Sequence, residues 1–282
     1  MKSFFQSLHT PKRFSPSPQN IWTNEKISPF IFQSYFNNDV YGGSKDDVFL
    51  KKSISFIDQI ATSYSCKSIL DLGCGPGIYC SPLFDLGYTV SGVDISQKAI
   101  SYAKEYAKEN YQSIKYYNTD ILSVNLEEKH DMVILLYEIL SNFSLDNREK
   151  ILRKVYNILD MNGIFILDVP SERRYINHVP MKVWEIFKTG DILLKENCYY
   201  FFSTEQFSQN LLFNHSVFLF ENSEIVNCYD WIQCFEKKMV FDELSRNGFD
   251  ILKVYSNTCG EKLKPESHSI ALVCQKNGKI PK

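Results

Sequence analysis

The feature that most constrains this chain is the repeated change between short apolar segments and amphipathic segments from residue 68 to residue 169. Five segments have the length and apolar composition of buried strands, at residues 68–72, 88–94, 113–120, 131–138 and 164–169. Segments with helical spacing of apolar residues precede or separate them, at residues 48–64, 76–86, 97–110 and 147–160. Ser96 and Asp146 are predicted to cap the last two of these helices. Such alternation is typical of a parallel sheet covered on both faces, so the sequence predicts a doubly wound α/β fold.

Residues with distinctive chemistry follow four of the predicted strands. They are Asp71 after the first strand, Asp94 after the second, Asp120 after the third, and Tyr137 with Glu138 at the end of the fourth. In a doubly wound sheet, ligands bind beyond the carboxyl ends of the strands, where the strand order reverses. We therefore expect these side chains to converge on one cleft.

The turn after the first strand reads Asp-Leu-Gly-Cys-Gly-Pro-Gly over residues 71–77. Dinucleotide sites normally show G-x-G-x-x-G, in which a helix N-terminus faces a pyrophosphate. In this chain the glycines lie at alternate positions, and Asp71 stands two residues before the first of them. A carboxylate at that place would repel a diphosphate and attract a cation. The turn therefore favours a cationic ligand over a nicotinamide dinucleotide.

Composition and charge exclude several other classes. The formal net charge is −2, which gives no general attraction to a nucleic acid. The eight cysteines form no C-x-x-C pair and have no histidine at ligand spacing, so we expect reduced thiols and no metal site. No signal peptide is recognisable, and no apolar run approaches the roughly 18 residues of a membrane span. We expect a cytoplasmic protein with a small-molecule partner.

The alternation stops after residue 170. Three segments, at residues 191–203, 210–220 and 224–238, predict an antiparallel meander, and a short helix and two closing strands follow them. We therefore expect four parts: a flexible lead over residues 1–20, N-terminal helices and a ligand-binding core over 21–170, the meander over 171–238, and a C-terminal helix with closing strands over 239–282.

Two motifs identify a family resemblance. The segments Ile-Leu-Asp-Leu-Gly-Cys-Gly-Pro-Gly, residues 69–77, and Val-Ser-Gly-Val-Asp-Ile-Ser, residues 90–96, resemble the first two motifs of the class I S-adenosylmethionine-dependent methyltransferases. The pattern D/E-x-G-x-G-x-G is matched at every position. The resemblance covers residues 48–170 strongly and 239–275 more loosely, and residues 229–256 resemble the small-molecule branch that includes types 11 and 25.

The resemblance implies a Rossmann-like sheet of seven mostly parallel strands in the order 3-2-1-4-5-7-6, with the last strand antiparallel. It also implies that the inserted meander is a lid over the acceptor pocket. The cofactor would be S-adenosylmethionine, and the residues implied to bind it are Asp71, Gly73, Cys74, Gly75, Gly77, Asp94, Ile95, Asp120, Ile121 and Tyr137.

Within that set the resemblance assigns separate parts of the cofactor. Asp71 would hold the ammonium group, and the glycine turn would pass under the methionine. Asp94 would accept hydrogen bonds from the ribose hydroxyls, and Ile95 would contact the adenine. Asp120 and Ile121 would meet the adenine amino group and ring edge.

The predicted catalytic residues are Tyr137, Glu138 and His215. The resemblance places Tyr137 and Glu138 beside the methyl group, where Glu138 would act as a base or bind a cationic amine. Alternatives stay open: Tyr137 as a pocket wall or a backbone contact, and Glu138 as a solvated strand end. His215 and His178 are further candidate bases, and a structural role is the alternative for both.

These residues predict an S-adenosylmethionine-dependent methyltransferase that acts on an oxygen or nitrogen atom of a small molecule, releases S-adenosylhomocysteine, and works as a monomer or homodimer. One alternative is an RNA or other nucleic-acid methyltransferase. The chain lacks the Asn/Asp-Pro-Pro-aromatic segment of base amino methylators and has no cysteine near the fourth strand. Another alternative is a non-catalytic protein that binds S-adenosylmethionine.

Overall fold

The computed structural model describes residues 2–36, 46–189 and 196–278. The chain divides into two compact units: one joins Met1–Ser44 to Tyr175–Cys234, and the other joins Lys45–Arg174 to Phe235–Lys282. We call them the smaller and the larger unit. The sequence analysis grouped residues 21–44 with the core, whereas this division groups residues 21–36 with the meander; residues 37–44 lie outside the described residues.

The described residues form strands and helices that are numbered in chain order. The strands are β1 (Ser68–Leu72), β2 (Thr89–Asp94), β3 (Lys115–Asn118), β4 (His130–Leu135), β5 (Leu159–Pro170), β6 (Lys182–Phe187), β7 (Cys198–Phe207), β8 (Leu211–Phe220), β9 (Ile225–Gln233), β10 (Phe249–Tyr255) and β11 (Ser269–Lys276). The helices are α1 (Lys2–Ser7), α2 (Ser28–Ser34), α3 (Asp47–Ser63), α4 (Cys80–Asp85), α5 (Gln97–Glu109), α6 (Leu145–Ile158), α7 (Glu172–Ile176) and α8 (Lys237–Arg246), with a 3-10 turn at Ile139–Asn142.

The larger unit contains a seven-stranded sheet in the order β10-β11-β5-β4-β1-β2-β3. Strands β1 to β5 are parallel to one another, whereas β11 runs antiparallel to both β5 and β10. Counting β10 and β11 as the sixth and seventh core strands gives the order 3-2-1-4-5-7-6. The predicted doubly wound Rossmann-like fold is confirmed, and the order reverses between β1 and β4.

The core lies on both faces of this sheet. Along β4, Val133 and Leu135 belong to one buried cluster, and Met132 and Ile134 belong to another on the opposite face. Alternate side chains of a strand point to opposite faces, so a strand covered on both sides needs apolar residues at every position. This explains the continuous apolar run that predicted β4.

Several local boundaries differ from the prediction. Helix α4 begins at Cys80 rather than at residue 76, because Gly73, Gly75 and Gly77 have positive φ angles that an α-helix excludes. The N-cap of α6 is Ser144, and Asp146 lies in its first turn. Strand β4 ends at Leu135, so the strand predicted to reach residue 138 stops three residues earlier.

The smaller unit is built on an antiparallel meander in the order β6-β7-β8-β9. Strands β7, β8 and β9 fall within or overlap the three predicted segments, and β6 precedes them.

Residues 1–20, predicted as a flexible lead, make hydrogen bonds to the edge strand β9. The Gln19 amide donates to Asn227 O at 3.1 Å, and the Tyr229 amide donates to Ser17 Oγ at 2.9 Å. The physical reason is that an edge strand leaves backbone groups without strand partners, and these groups need other ones.

The chain leaves the larger unit after Arg174 and returns to it at Phe235, and the residues around these two points are hydrogen-bonded to each other. The Phe235 amide donates to Pro170 O at 2.8 Å, and the Glu172 amide donates to Phe235 O at 2.9 Å. The residues flanking the inserted segment are therefore neighbours in space. Among the described residues, the helices include none that is long and apolar enough to cross a membrane.

Candidate functional site

The glycine turn after β1 is packed closely on two sides. Gly73 and Gly77 have φ angles of +83° and +85°. A Cβ atom at Gly73 would lie 2.2 Å from Ile139 Cδ1, and one at Gly77 would lie 2.4 Å from Tyr116 Oη. The Gly73 amide donates to Val93 O at 2.7 Å, which fixes the turn to the end of β2. The positive φ angle therefore favours glycine at both positions, and at Gly77 the Tyr116 ring also leaves no space for a Cβ.

Asp94, at the end of β2, connects the two sequence motifs directly. Its carboxylate accepts from the Gly75 amide at 2.9 Å and from the Ser96 amide at 2.7 Å. Burial raises the pKa of this carboxyl group, and the two amide hydrogen bonds oppose that change. The arrangement holds the Asp94 carboxylate against the glycine turn.

Asp71 provides a second carboxyl group beneath the same turn. Its side chain is 3% exposed, and the Cys80 thiol donates to Oδ2 at 3.6 Å. Burial raises the pKa of Asp71 to about 7; the Cys80 hydrogen bond lowers it, and the charge of Asp94 raises it further. Two acidic groups therefore lie beside the glycine turn, and the charge of Asp71, when ionised, favours a cationic ligand over a diphosphate.

The residues predicted to meet an adenine ring lie at the ends of β2 and β3. Asp120 Oδ1 accepts from the Leu122 amide at 2.8 Å, so this carboxylate also stabilises a local turn. Ile121 is buried, with its Cδ1 atom 3.9 Å from the position of a Cβ on Gly73. Ile95 is half-buried beside Asp94 in the chain. The structure thus brings Ile121 to the glycine turn.

A strained turn follows β4. Tyr137 and Glu138 are consecutive non-glycine residues with φ angles of +60°. The Glu138 carboxylate forms a two-point ion pair with Arg174, at 2.5 Å to Nη1 and 3.1 Å to Nη2. The Tyr137 ring is 39% exposed and packs edge-on against Tyr79, with centroids 6.1 Å apart. Glu138 is therefore held by a specific partner rather than standing as a solvated strand end.

His215 lies in the smaller unit, on β8. It is 4% exposed, its Nε2 atom is 2.8 Å from Asn227 Oδ1, and its ring contacts Phe213 and Tyr229. Burial lowers the pKa of this imidazole, and the Asn227 hydrogen bond opposes the change. His178 Nε2 is buried and has no hydrogen-bond partner among the residues that the structure describes. A catalytic role for His215 stays a prediction.

Several residues at the site were missed by sequence reasoning. Tyr79, Cys80 and Tyr116 pack around the glycine turn, and Asp168 Oδ1 accepts from the Glu138 amide at 3.0 Å. Asp168 lies at the carboxyl end of β5, so the rule that identified the other acids could have found it. Arg174 carries no comparable signal, because its partner is 36 residues away in the chain. Within the described residues, no group of three or more histidine, cysteine or acidic side chains is placed to hold a metal.

Comparisons with known proteins agree with this geometry. Residues 69–163 match a family described as a methyltransferase domain. The ubiquinone biosynthesis O-methyltransferase of Rickettsia canadensis (strain McKiel) is 32% identical over 114 residues, which are 39% of this chain and 47% of that protein. This chain thus aligns with less than half of that relative's length.

Two solved structures share the architecture. The S-adenosylmethionine-dependent methyltransferase from Clostridium acetobutylicum ATCC 824 superposes with a TM-score of 0.67 at 19% identity, covering 88% of this chain and 97% of that one. The CcbJ methyltransferase from Streptomyces caelestis gives 0.68 at 16% identity, with 88% and 96% coverage. At these identities the likeness shows the fold. Residues 69–163 of this chain therefore match a methyltransferase domain, within a fold that these two solved structures share.

Proposed function

We propose that the whole chain is an S-adenosylmethionine-dependent methyltransferase that methylates an oxygen or nitrogen atom of a small molecule and releases S-adenosylhomocysteine. The observation that carries the proposal is the pair of buried carboxyl groups, Asp71 and Asp94, beside the glycine turn that follows β1, where the strand order reverses. A sulfonium cofactor without phosphate suits this environment, whereas a dinucleotide does not.

The residues present fit the cofactor. The positive φ angles of Gly73 and Gly77 form a turn whose glycines carry no side chains, and such a turn lets the methionine portion approach the backbone closely. Asp94 would accept from the ribose hydroxyls, and Asp71 would hold the ammonium group. Ile95, Asp120 and Ile121 would contact the adenine; this part of the proposal rests on the family resemblance. Bound there, S-adenosylmethionine supplies an electrophilic methyl group attached to a sulfonium.

The chain's own residues then align the acceptor and receive its proton. Glu138 is the better-supported candidate base, because it lies in the same unit as the glycine turn and in the turn that follows β4, the strand next to β1. Its carboxylate would accept a hydrogen bond from the acceptor's O–H or N–H group, and orienting that group contributes more than proton removal in a displacement of this kind. Tyr137 would form part of the pocket wall. His215 is placed second, because its ring is engaged within the meander.

The nature of the acceptor also belongs to the proposal. The Rickettsia canadensis relative is named as an O-methyltransferase of ubiquinone biosynthesis, and it is an example of small-molecule chemistry on this domain. A net charge of −2 supports a small acceptor over a nucleic acid. We further propose that the meander of the smaller unit acts as the acceptor lid, and that the protein works in the cytoplasm as a monomer or homodimer.

Titration calorimetry with S-adenosylmethionine, S-adenosylhomocysteine and NAD tests the proposal. We expect binding of the first two and none of NAD. We expect Asp94→Ala to weaken S-adenosylmethionine binding at least about tenfold, the equivalent of about 1.4 kcal/mol, through loss of the ribose contact. Asp131→Ala is the matched control, because this carboxylate also accepts from two backbone amides, Lys67 and Ser68, but lies at the opposite end of the strands.

Equal losses of affinity in the two variants would show that the effect is general destabilisation. Binding of NAD in place of S-adenosylmethionine would overturn the proposed function. Turnover is tested separately, by incubating the chain with S-adenosylmethionine and small hydroxyl- and amine-bearing acceptors and detecting S-adenosylhomocysteine by mass spectrometry. Tight cofactor binding without product for any acceptor class would favour a non-catalytic role, and product only with RNA would favour a nucleic-acid enzyme.

A further inference from the structure

The turn after β4 has a backbone conformation that its own residues disfavour. Tyr137 and Glu138 both have φ of +60°, and the Cβ of an L-residue crowds the backbone in the left-handed region. Two such residues in succession persist only where the surroundings hold them. The contacts that hold this turn therefore identify residues on which it depends.

Two side chains bind Glu138, one through its backbone amide and one through its carboxylate. Asp168 Oδ1 accepts from its amide at 3.0 Å, and the Arg174 guanidinium binds both of its carboxylate oxygens. A two-point guanidinium–carboxylate pair fixes orientation as well as distance. The Glu138 side chain is 16% exposed in this pair, so the interaction is partly protected from water.

Arg174 lies in the short helix α7, and Ser171, which precedes this helix, is hydrogen-bonded to neighbouring backbone. The Ser171 amide donates to His268 O at 3.0 Å, and the Ser171 hydroxyl donates to Ser267 O at 2.5 Å. The Arg174 amide in turn donates to Ser171 O at 3.0 Å. The guanidinium is therefore presented from backbone that is tied to the segment preceding β11.

The turn that these residues hold forms one wall of the glycine turn. Ile139, which follows Glu138 directly, places Cδ1 2.2 Å from where a Cβ on Gly73 would be. On the preceding side, the Tyr137 ring packs against Tyr79, a buried residue six positions after Gly73. A change in the conformation of Glu138 would move both neighbours.

We infer that Arg174 is a positioning residue for the cofactor site: by pairing with Glu138 it holds the left-handed turn that places Ile139 against Gly73. This inference rests on the proposed function for the identity of the ligand. It differs from a direct contact, because Arg174 acts through the backbone conformation of residues 137–138. The resulting expectation is that glycine at position 138, which adopts a positive φ freely, makes the ion pair dispensable.

The test is a double-mutant cycle with S-adenosylhomocysteine as the probe in titration calorimetry. We expect Arg174→Ala and Glu138→Ala each to weaken binding about tenfold, the ratio equivalent to about 1.4 kcal/mol. Glu138→Gly should stay within about threefold of the wild type, and adding Arg174→Ala to it should change little. Equal losses for Glu138→Gly and Glu138→Ala, or the same effect of Arg174→Ala in both backgrounds, would overturn the inference.

Controls separate this role from general stability. Arg173→Ala alters the neighbouring arginine, whose Nε donates to Pro265 O, and it should leave binding unchanged. If Arg174→Ala fails to fold, Arg174→Lys replaces it, because lysine keeps the charge and loses the two-point geometry. Binding by Arg174→Lys that equals the wild type would then overturn the inference.

A wild-type chain that binds no S-adenosylhomocysteine would contradict the proposed function. In that case, urea unfolding of the same four proteins still tests whether the Arg174–Glu138 pair stabilises the turn. In that measurement Arg174→Ala should lower the folding equilibrium constant more in the wild-type background than in Glu138→Gly. Equal effects in the two backgrounds would overturn the inference on stability grounds alone.

Discussion

Two glycines of the larger unit allow the effect of a positive φ angle to be distinguished from the effect of close packing. Gly77 and Gly87 both have positive φ angles, of +85° and +95°. A Cβ at Gly77 would lie 2.4 Å from Tyr116 Oη, whereas one at Gly87 would meet nothing within 4 Å. Tyr116 is buried, so its hydroxyl group cannot simply move into water.

We predict that Gly77→Ala reduces both the free energy of unfolding and the affinity for S-adenosylmethionine. Gly87→Ala is the matched control: it should lose roughly 1–2 kcal/mol of stability through the left-handed backbone alone and keep its affinity. Urea unfolding and titration calorimetry measure the two quantities. Equal affinities for the two variants would contradict a cofactor-binding role for the glycine turn.

The buried carboxyl group of Asp71 makes stability depend on pH. Its pKa is raised from 3.8 to about 7 by burial, with the Cys80 thiol opposing and Asp94 adding to the shift. Between these values the folded chain retains a proton that the unfolded chain has released. The free energy of unfolding should therefore fall as the pH rises from about 4 to about 7, and the contribution of Asp71 should be level above that range.

We predict that Asp71→Asn removes this slope, because the amide does not ionise. The difference in unfolding free energy between wild type and variant should change by up to about 4 kcal/mol across the window, from about three pKa units at 1.36 kcal/mol each. Urea unfolding at a series of pH values measures it. A difference that stays constant from pH 4 to 7 would show that Asp71 titrates alike in both states.

Sequence reasoning located the acids at the strand ends and missed what holds them. Asp71 and Asp94 were predictable, because each follows a recognisable strand and carboxyl ends of parallel strands share one edge. Arg174 was not, because its role depends on a contact to Glu138 that no local pattern encodes. The left-handed conformation of Tyr137 and Glu138 was likewise not predictable, since neither tyrosine nor glutamate favours a positive φ angle.

At the scale of elements, helices α6 and α8 are joined by a buried ion pair. Arg148 and Glu243 are 2% and 3% exposed, and the guanidinium binds both carboxylate oxygens at 2.9 and 2.6 Å. Arg148 also donates to Phe143 O at 2.9 Å and lies over the Phe235 ring. Removing one partner would leave a buried charge unpaired, which is more harmful than removing both.

We predict that Arg148→Met lowers the free energy of unfolding by about 3–5 kcal/mol, and that adding Glu243→Leu recovers most of the loss. The control is Lys238→Ala, which removes an exposed pair with Asp242 on α8 and should change stability by less than about 0.5 kcal/mol. Urea unfolding of the four proteins gives the comparison. A double variant no more stable than Arg148→Met would show that the pair contributes more than charge balance.

Elements differed in how clearly the sequence announced them. Strand β4 was evident because both of its faces are buried, which requires a continuous apolar run. Strand β6 was not predicted, because almost all of its residues are exposed and its sequence lacks the alternation of a half-buried strand. Helix α4 was predicted too long, since the three glycines favour the turn that precedes it over the helix.

At the scale of the whole molecule, the first 20 residues belong with an element more than 200 positions away. Ser17 Oγ accepts from the Tyr229 amide, and Gln19 Oε1 accepts from the Asn227 amide at 2.7 Å. The Trp231 indole also donates to Ser15 O at 3.1 Å. Proline content and polarity had predicted a flexible lead. Neither property indicates that an edge strand elsewhere in the chain has backbone groups available for hydrogen bonding.

We predict that deleting residues 1–20 speeds hydrogen exchange at the Asn227 and Tyr229 amides by at least about tenfold. The deletion removes the acceptors of both amides and exposes the amides to water. Exchange at Val133, in the centre of the larger unit's sheet, serves as the control and should not change. Hydrogen-exchange mass spectrometry or NMR measures both sites. Unchanged protection at Tyr229 would mean that the lead does not secure the meander edge in solution.

The backbone junction of Pro170 and Glu172 with Phe235 has an evolutionary consequence. A long excursion that starts and finishes at adjacent points can change in length at small entropic expense, since closure entropy grows only with the logarithm of length. The hydrogen bonds that pair β5 with β11 involve only residues outside the inserted segment. Evolution can therefore lengthen or shorten that segment while the pairing of these two strands is kept.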